Sequence, residues 1–338
     1  MISVIVATYN QEKTIARTLE GILRQKCHEP IEILIGEDCS KDGTLKVCQE
    51  YEAKYPDIIR LFANNPNKGV LNNYFDCILA AKGEYLADCA GDDEWCDDLK
   101  LEKELKILEE NKDIVLVHTN FNLRYAETNN IQPSVPLWYI TNHSQRKEII
   151  TDGTEMIWHV LEHKERPAIH LCTALWRRST MLEVYHEHTD FFRNKNYLLE
   201  DLQVCAFLSS KGKIAYLPEV TMHYEVSTQS ISNDDRSEKM FKFAYSVASL
   251  IHNIAKTFEI DKKERMIPIY EYRLYPLAMH AFRSHNQELR HKAFALANQL
   301  LPTLNTELST IKFITSNPFT WNLALILRKA FVWVKRLK

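Results

Sequence analysis

Short β-branched runs and amphipathic helical stretches alternate along the N-terminal two thirds of the chain, and this alternation constrains the fold more than any other feature. ISVIVA (2–7) is continuously apolar, as expected of a strand covered on both faces. An amphipathic pattern from Thr14 to Leu23 follows, then IEILIG (31–36), a helical stretch over 42–55, IIRLF (58–62), a helix over about 69–81 and EYLADC (84–89). Strand, helix and strand repeated in this way predict an α/β fold: a mostly parallel, Rossmann-like sheet flanked by helices. Leu99, Leu101, Leu105 and Leu108 space out a further helix over 97–111, and DIVLVHTNF (113–121) and KIAYL (213–217) return to strand character. Helices are expected to start near Thr151 and near Tyr197, with a long loop over about 129–147 that contains Pro133 and Pro136. Beyond Ser232 the strand patterns stop, and 237–258 and 264–301 are helical by period. The expected division is an α/β domain over 1–230 and a helical region over 231–338.

Charge excludes one class of partner. Lys plus Arg number 42 against 45 Asp plus Glu, so the whole molecule has no electrostatic attraction to nucleic acid. The eight cysteines form no C-x-x-C pair and no zinc-like Cys/His spacing, which reads as buried, reduced thiols. MISVIVATYN lacks the basic start and the apolar length of a signal peptide or membrane span, so a cytoplasmic protein is expected.

Ligands of an open parallel sheet collect beyond the carboxyl ends of its strands, and four consecutive polar loops fall there. They are ATYN (7–10), EDCSKDGT (37–44), NNPNKG (64–69) and DCAGDDEW (88–95). Asp38 can accept hydrogen bonds from a base or ribose, or simply sit in an N-capping turn. Lys68 can neutralise a phosphate while Gly69 lets backbone come close. The adjacent Asp92 and Asp93 repel each other, and a divalent cation would offset that cost. Neither G-x-G-x-x-G nor a P-loop is present, which argues against a dinucleotide cofactor.

VIVATYN, EDCSKDGT, NKG and a strand running into GDDEW, in that order, resemble the family 2 glycosyltransferases of GT-A fold, over about residues 1–225. The resemblance implies that Ala7, Thr8, Tyr9, Asn10, Asp38, Lys68 and Asp92 bind the donor nucleotide. It further implies that Asp92 and Asp93 hold Mg²⁺ or Mn²⁺ against the diphosphate of a nucleotide sugar, with Asp93 the direct ligand. Asp88, in the same turn, either touches the ribose or braces the loop. Glu200 and Asp201 open an apolar helix whose N-terminal dipole favours ionised acids, and capping alone would explain them. In the resembled family an "ED" pair there contains the catalytic base, which assigns Asp201 as base and Glu200 as a neighbour orienting the acceptor. The family then continues with a tyrosine and a basic residue. Here EVTMHYEVSTQSIS (219–232) puts Glu225 at the basic position, with His223 before the tyrosine, either completing the metal site or structural. Trp95 and Trp176 are candidate platforms for a sugar or acceptor.

From Lys312 onward the chain has basic residues and no acidic ones. On a helical wheel of 321–338, Leu323, Ile326, Leu327, Ala330, Phe331, Trp333, Val334 and Leu337 share a face opposite Arg328, Lys329, Lys335 and Arg336. Such a helix either lies on an anionic membrane as a peripheral contact or packs on the protein. Taken together, the expectation is a metal-dependent inverting transferase. It would move sugar from a nucleotide diphosphate, UDP first, to a hydroxyl of a free or lipid-linked saccharide in bacterial surface polysaccharide synthesis. A sugar-phosphate nucleotidyltransferase would need a Gly- and Arg-rich loop after the first strand, which ATYNQEKT lacks. A non-catalytic glycan-binding relative would have no use for intact Asp92, Asp93 and Asp201.

Overall fold

In the computed structural model, which describes residues 1–134, 149–162, 169–227, 236–260 and 263–336, the apolar runs become neighbours in one sheet. β1 (Ile2–Thr8) pairs in parallel with β2 (Ile31–Glu37) on one side and β4 (Tyr85–Asp88) on the other, and β3 (Ile59–Ala63) extends β2. Parallel neighbours need crossovers. α1 (Ile15–Leu23), α2 (Thr44–Lys54) and α3 (Val70–Ala80) supply them. Val4 and Val6 join Ile15, Leu19 and Ile22 of α1 in one cluster, while Ile5, facing the other way, is equally buried. Both faces of β1 are therefore covered, as its unbroken apolar run requires. Each such side chain contributes about 1.5–3 kcal/mol of burial free energy.

Beyond β4 the expected parallel run becomes mixed. β9 (Ala174–Arg177) is antiparallel to both β4 and β6 (Ile114–Tyr125), and β10 (Lys213–Val226) then runs parallel to β6. The hydrogen-bonded order is β3-β2-β1-β4-β9-β6-β10-β5, where β5 (Glu94–Trp95) closes on β10. β7 (Asn130–Pro133) occupies the start of the expected long loop and pairs with β6, and β8 (Ile149–Thr151) pairs with β10; the rest of that loop, 135–148, lies outside the described residues. β10 is far longer than KIAYL. Its register shifts between Leu217 and Val220, where Pro218 has no N–H for the ladder, and again before Met222. The bulge lets the chain continue past the proline and brings Met222 and His223 opposite Trp95 and Glu94.

α4 (Lys100–Glu110) hides an ion pair that no pattern announced. Lys100 Nζ and Glu104 Oε2 are 2.7 Å apart, and both side chains are wholly buried. Further on lie α5 (Gly153–Glu162), α6 (Arg178–Glu187), α7 (Thr189–Phe192) and α8 (Asp201–Ser209), which begins at the second acid of the ED pair rather than near Tyr197.

The chain divides into two compact units, Met1–Ser227 and Thr228–Lys338. In the second, α9 (Ser237–Thr257) precedes α10 (Lys263–Ser284) and α11 (Gln287–Leu300), which split the single helical stretch foreseen over 264–301. The break is local chemistry: His285 takes a left-handed φ of 51°, and the Asn286 side chain caps α11 by accepting from the amides of Glu288 and Leu289. α12 (Thr306–Ile314) and α13 (Pro318–Arg336) follow. Trp321 of α13 is buried and donates from Nε1 to Phe282 O at 2.9 Å, whereas Leu323, Ile326 and Leu327 are exposed. The rest of the expected apolar and basic faces, from Lys329 on, lies outside the described side chains. No helix among the described residues is long and apolar enough to cross a membrane.

Candidate active site

Hydrogen bonds lash the first two loops together at the carboxyl ends of β1 and β2. Asn10, at a left-handed φ of 55°, receives Lys41 N on Oδ1 at 2.8 Å and donates its own N–H to Ser40 Oγ at 2.9 Å. Gln11 N donates to Thr44 Oγ1 at 2.7 Å, and Thr8 Oγ1 to Gln11 Oε1 at 2.7 Å. Ala7 and Thr8 are the last residues of the strand's ladder, and Tyr9, 43% exposed, presents its ring to solvent.

Asp38 organises the third loop. Its carboxylate accepts from Lys68 N at 2.8 Å, Gly69 N at 2.9 Å and Asn64 Nδ2 at 3.1 Å, and the residue is 3% exposed. A carboxylate offers about four acceptor sites, so about one remains for a ligand. Lys68 Nζ rests on Asp76 at 2.8 Å, and Arg193 shares the same acid. The Lys68 pair is open to water and worth at most about 1 kcal/mol, so the lysine is free to turn to a phosphate.

The β4–β5 turn sits tightly against the first loop. A side chain at Gly91 would place its Cβ 2.4 Å from Gln11 Oε1 and 2.6 Å from Thr8 Oγ1, so this position has room only for glycine. Thr14 and Thr18 of the α1 end hold the carbonyls of Gly91 and Asp93 through 2.9 and 2.6 Å hydrogen bonds, and Arg17 holds that of Asp92 at 2.8 Å. The two aspartates diverge. Asp92 is partly exposed beside Gln11, and burial raises its carboxyl above the usual range. Asp93 is 1% exposed; its Oδ1 accepts Glu225 N at 2.9 Å and its Oδ2 is buried without a hydrogen-bond partner. Burial, then the Asp92 charge, push Asp93 well above the ordinary carboxylate range. Asp92 is thus the more exposed of the two carboxylates, and Asp93 the buried one.

The ED pair meets Asp88. Oxygens of Asp88, Glu200 and Asp201 lie within 4.8 Å of one another. At an effective dielectric of about 20, two unit charges at that distance repel by roughly 3 kcal/mol, so the three acids do not all ionise unaided. Burial raises Asp88 well above its usual range, with the charges of Glu200 and Asp201 next in weight. Glu200 is pushed up to about 8, by burial and then by Asp201, to which it hydrogen bonds. Asp201 is raised by burial too, but the nearby His170 and the Glu200 hydrogen bond hold it down. The Tyr74 hydroxyl, wholly buried and without a partner, feels all three carboxyls. Sequence reasoning found the ED pair and left Asp88 undecided; it missed Tyr74 and His170, which no local pattern distinguishes from core residues.

Two expectations are overturned. Trp95 is fully buried, donates from Nε1 to Cys172 O at 2.8 Å and lies under Lys100 Nζ at 4.4 Å, so it has no face for a sugar. Trp176 is likewise fully buried, because β9 lies inside the sheet, where it pairs Trp176 with Leu86 and Leu116. His223 is structural rather than a ligand: its Nδ1 bonds Arg124 Nη2 at 2.8 Å, and burial lowers its basicity. Glu225, standing where a base was expected, pairs with Arg17 at 3.0 Å. Arg17 thereby reaches both the β4–β5 turn and the end of β10.

The family described as glycosyl transferase family 2 has a model that matches residues 3–197, more than half of the chain. The chain belongs to that family. Curated relatives resemble it in part: EpsE of Bacillus subtilis, a putative glycosyltransferase, is 36% identical over 141 residues, covering 40% of this chain and 49% of EpsE. Rv1520 of Mycobacterium tuberculosis is 43% identical over 107 residues, 32% of this chain and 31% of its own length. The chain thus spans between about a third and a half of these relatives. Among solved structures, S. aureus TarS 1–349 in complex with UDP-GlcNAc aligns with a TM-score of 0.55 at 16% identity, covering 92% of this chain and 90% of that one. At that identity the likeness shows the fold, a GT-A sheet with a helical C-terminal region. In this family 2 chain, Glu200 and Asp201 lie just past the matched stretch, so their place beside Asp88 rests on the three-dimensional arrangement.

Proposed function

We propose that the chain is an inverting glycosyltransferase that moves a sugar from a nucleotide diphosphate to a hydroxyl of a saccharide. The observation that carries this reading is the meeting of Asp88, Glu200 and Asp201 next to the turn that presents Asp92 to the donor loops. Ala7 to Asn10 and Asp38 line the nucleotide end, Tyr9 offers a ring to the base, and Lys68 leaves Asp76 for a phosphate. Asp92 would hold Mg²⁺ or Mn²⁺ with the diphosphate oxygens, and the ion when bound offsets charge on the leaving diphosphate. Asp201 takes the proton from the acceptor hydroxyl at its carboxylate oxygen. Glu200, neutral near pH 7, donates a hydrogen bond to Asp201 and so keeps it ionised as a base.

Relatives support the choice of substrates. TarS was solved with UDP-GlcNAc, which favours a UDP-sugar donor; a Pyrobaculum calidifontis mannosyltransferase solved with GDP-Man and Mn²⁺ has a TM-score of 0.50 at 14% identity. TuaG of Bacillus subtilis, named for teichuronic acid biosynthesis, is 36% identical over 110 residues and favours a surface-polysaccharide acceptor. We assign 1–230 to catalysis and 231–338 to a helical region whose α13 contacts the cytoplasmic face of a membrane bearing a lipid-linked acceptor. The exposed Leu323, Ile326 and Leu327 support that contact.

Isothermal titration with UDP, with and without Mn²⁺, tests the donor site. Metal-dependent binding should weaken at least about tenfold in Asp92→Ala; binding indifferent to Mn²⁺ would remove the metal assignment. Asp201→Asn should keep that binding and lose transfer by about 10²–10⁴-fold. An active Asp201→Asn enzyme would mean that another group is the base.

A further inference from the structure

Asp93 lies beside two side chains, His170 and Cys172, neither of which contacts the donor loops in the proposed reaction, although the His170 ring also lowers the carboxyl of Asp201. Ligand atoms of Asp93, His170 and Cys172 lie within 4.8 Å of one another, on the interior side of the β4–β5 turn. Two of the three groups are polar atoms buried without a partner: Asp93 Oδ2 and His170 Nδ1. The Cys172 thiol is the one side-chain group that lowers the raised carboxyl of Asp93, and it gives Asp93 Oδ2 no hydrogen bond of good geometry. The arrangement is held from outside. Cys172 is fixed by its carbonyl to Trp95 Nε1 and by Ala90 N, which donates to Sγ at 3.3 Å. The His170 ring is set by Phe121 and Tyr224, with centroids at 5.4 and 4.8 Å. Asp93 is set by Glu225 N.

We propose that Asp93, His170 and Cys172 form a transition-metal site, distinct from the diphosphate-bound ion at Asp92, that takes Zn²⁺ or Co²⁺. A carboxylate, an imidazole and a thiol are a borderline-to-soft donor set, which Mg²⁺ does not prefer and which zinc and cobalt do. Tetrahedral bonds of about 2.0–2.3 Å space ligand atoms about 3.5 Å apart, so the side chains need only a small inward adjustment. Binding displaces the Cys172 thiol proton and the proton of the raised Asp93 carboxyl to solvent, so that thiolate and carboxylate become the ligands. Three protein ligands leave the fourth position for water. Occupancy would pin the β4–β5 turn, which presents Asp92, to the Leu171–Thr173 turn.

The test uses the full chain in a Cys27→Ser background, because Cys27 also lies within ligating distance of His28 and Glu102. Chelator-treated protein is titrated with Co²⁺ and followed by the near-ultraviolet sulfur-to-cobalt charge-transfer band. The expected result is one cobalt per chain with that band, lost in Cys172→Ser, weakened at least tenfold in affinity in His170→Ala, and kept in Asp92→Ala. If Cys172→Ser does not fold, X-ray absorption of the zinc-loaded parent decides: a sulfur scatterer at about 2.3 Å is required. Absence of the band, its survival in Cys172→Ser, a zinc shell of oxygen and nitrogen alone, or loss of the band in Asp92→Ala would each overturn the proposal. Loss in Asp92→Ala would assign the ion to the donor site. None of these readouts depends on sugar transfer.

Discussion

Replacing Glu200 by Gln tests the three-carboxyl cluster through stability rather than turnover. In the folded protein Glu200 titrates at about 8 against an ordinary 4.5. A folded-state value above the unfolded one means that the native state binds the extra proton. The neutral acid's contribution is therefore fully present below pH 4.5 and is lost as pH rises through 8. The shift corresponds to about 4–5 kcal/mol over the whole window, or about 1.4 kcal/mol per pH unit inside it. Glutamine keeps a neutral hydrogen-bond donor toward Asp201 and cannot ionise. It also spares Asp88 and Asp201 a like charge, which reduces the pH dependence further in the same direction. Urea unfolding in metal-free buffer between pH 5.5 and 7.5 should show the parent losing about 2–3 kcal/mol relative to Glu200→Gln across that range. Parallel stability curves would refute the idea that Glu200 is held neutral by burial beside two other acids.

Trp95→Phe removes the hydrogen bond to Cys172 O and shrinks the ring under Lys100, so it should cost about 1–3 kcal/mol in chemical denaturation while leaving the acceptor KM unchanged; a raised KM with unchanged stability would restore the platform reading. Replacing Ile326 and Leu327 by Ser should weaken sedimentation of the protein with vesicles of anionic phospholipid, without changing UDP affinity. Vesicle binding insensitive to both substitutions would direct α13 to packing instead.

What was legible and what was not divides along sequence separation. ISVIVA and IEILIG could only become strands buried on both faces, since a β-branched apolar run has no solvent face to offer, and the four polar loops after the strands followed from the chain direction. The direction of β9 was not legible, because ALWR pairs equally well either way; it depends on which side of the sheet the chain returns from. The place of β9 between β4 and β6, which was not legible either, is what buries Trp176. Trp95 and Trp176 are alike in sequence to exposed aromatic platforms, and only the strands and helix packed over them decide otherwise. Asp88 shows the same limit: local sequence gives it a place at a strand end. Its burial first, and then its proximity to Glu200 and Asp201 over a hundred residues away, set how readily it ionises, because both depend on the water excluded in the folded state and on distance in space. The residue types came from the sequence, and the fold chose which of them lie close enough to share a proton.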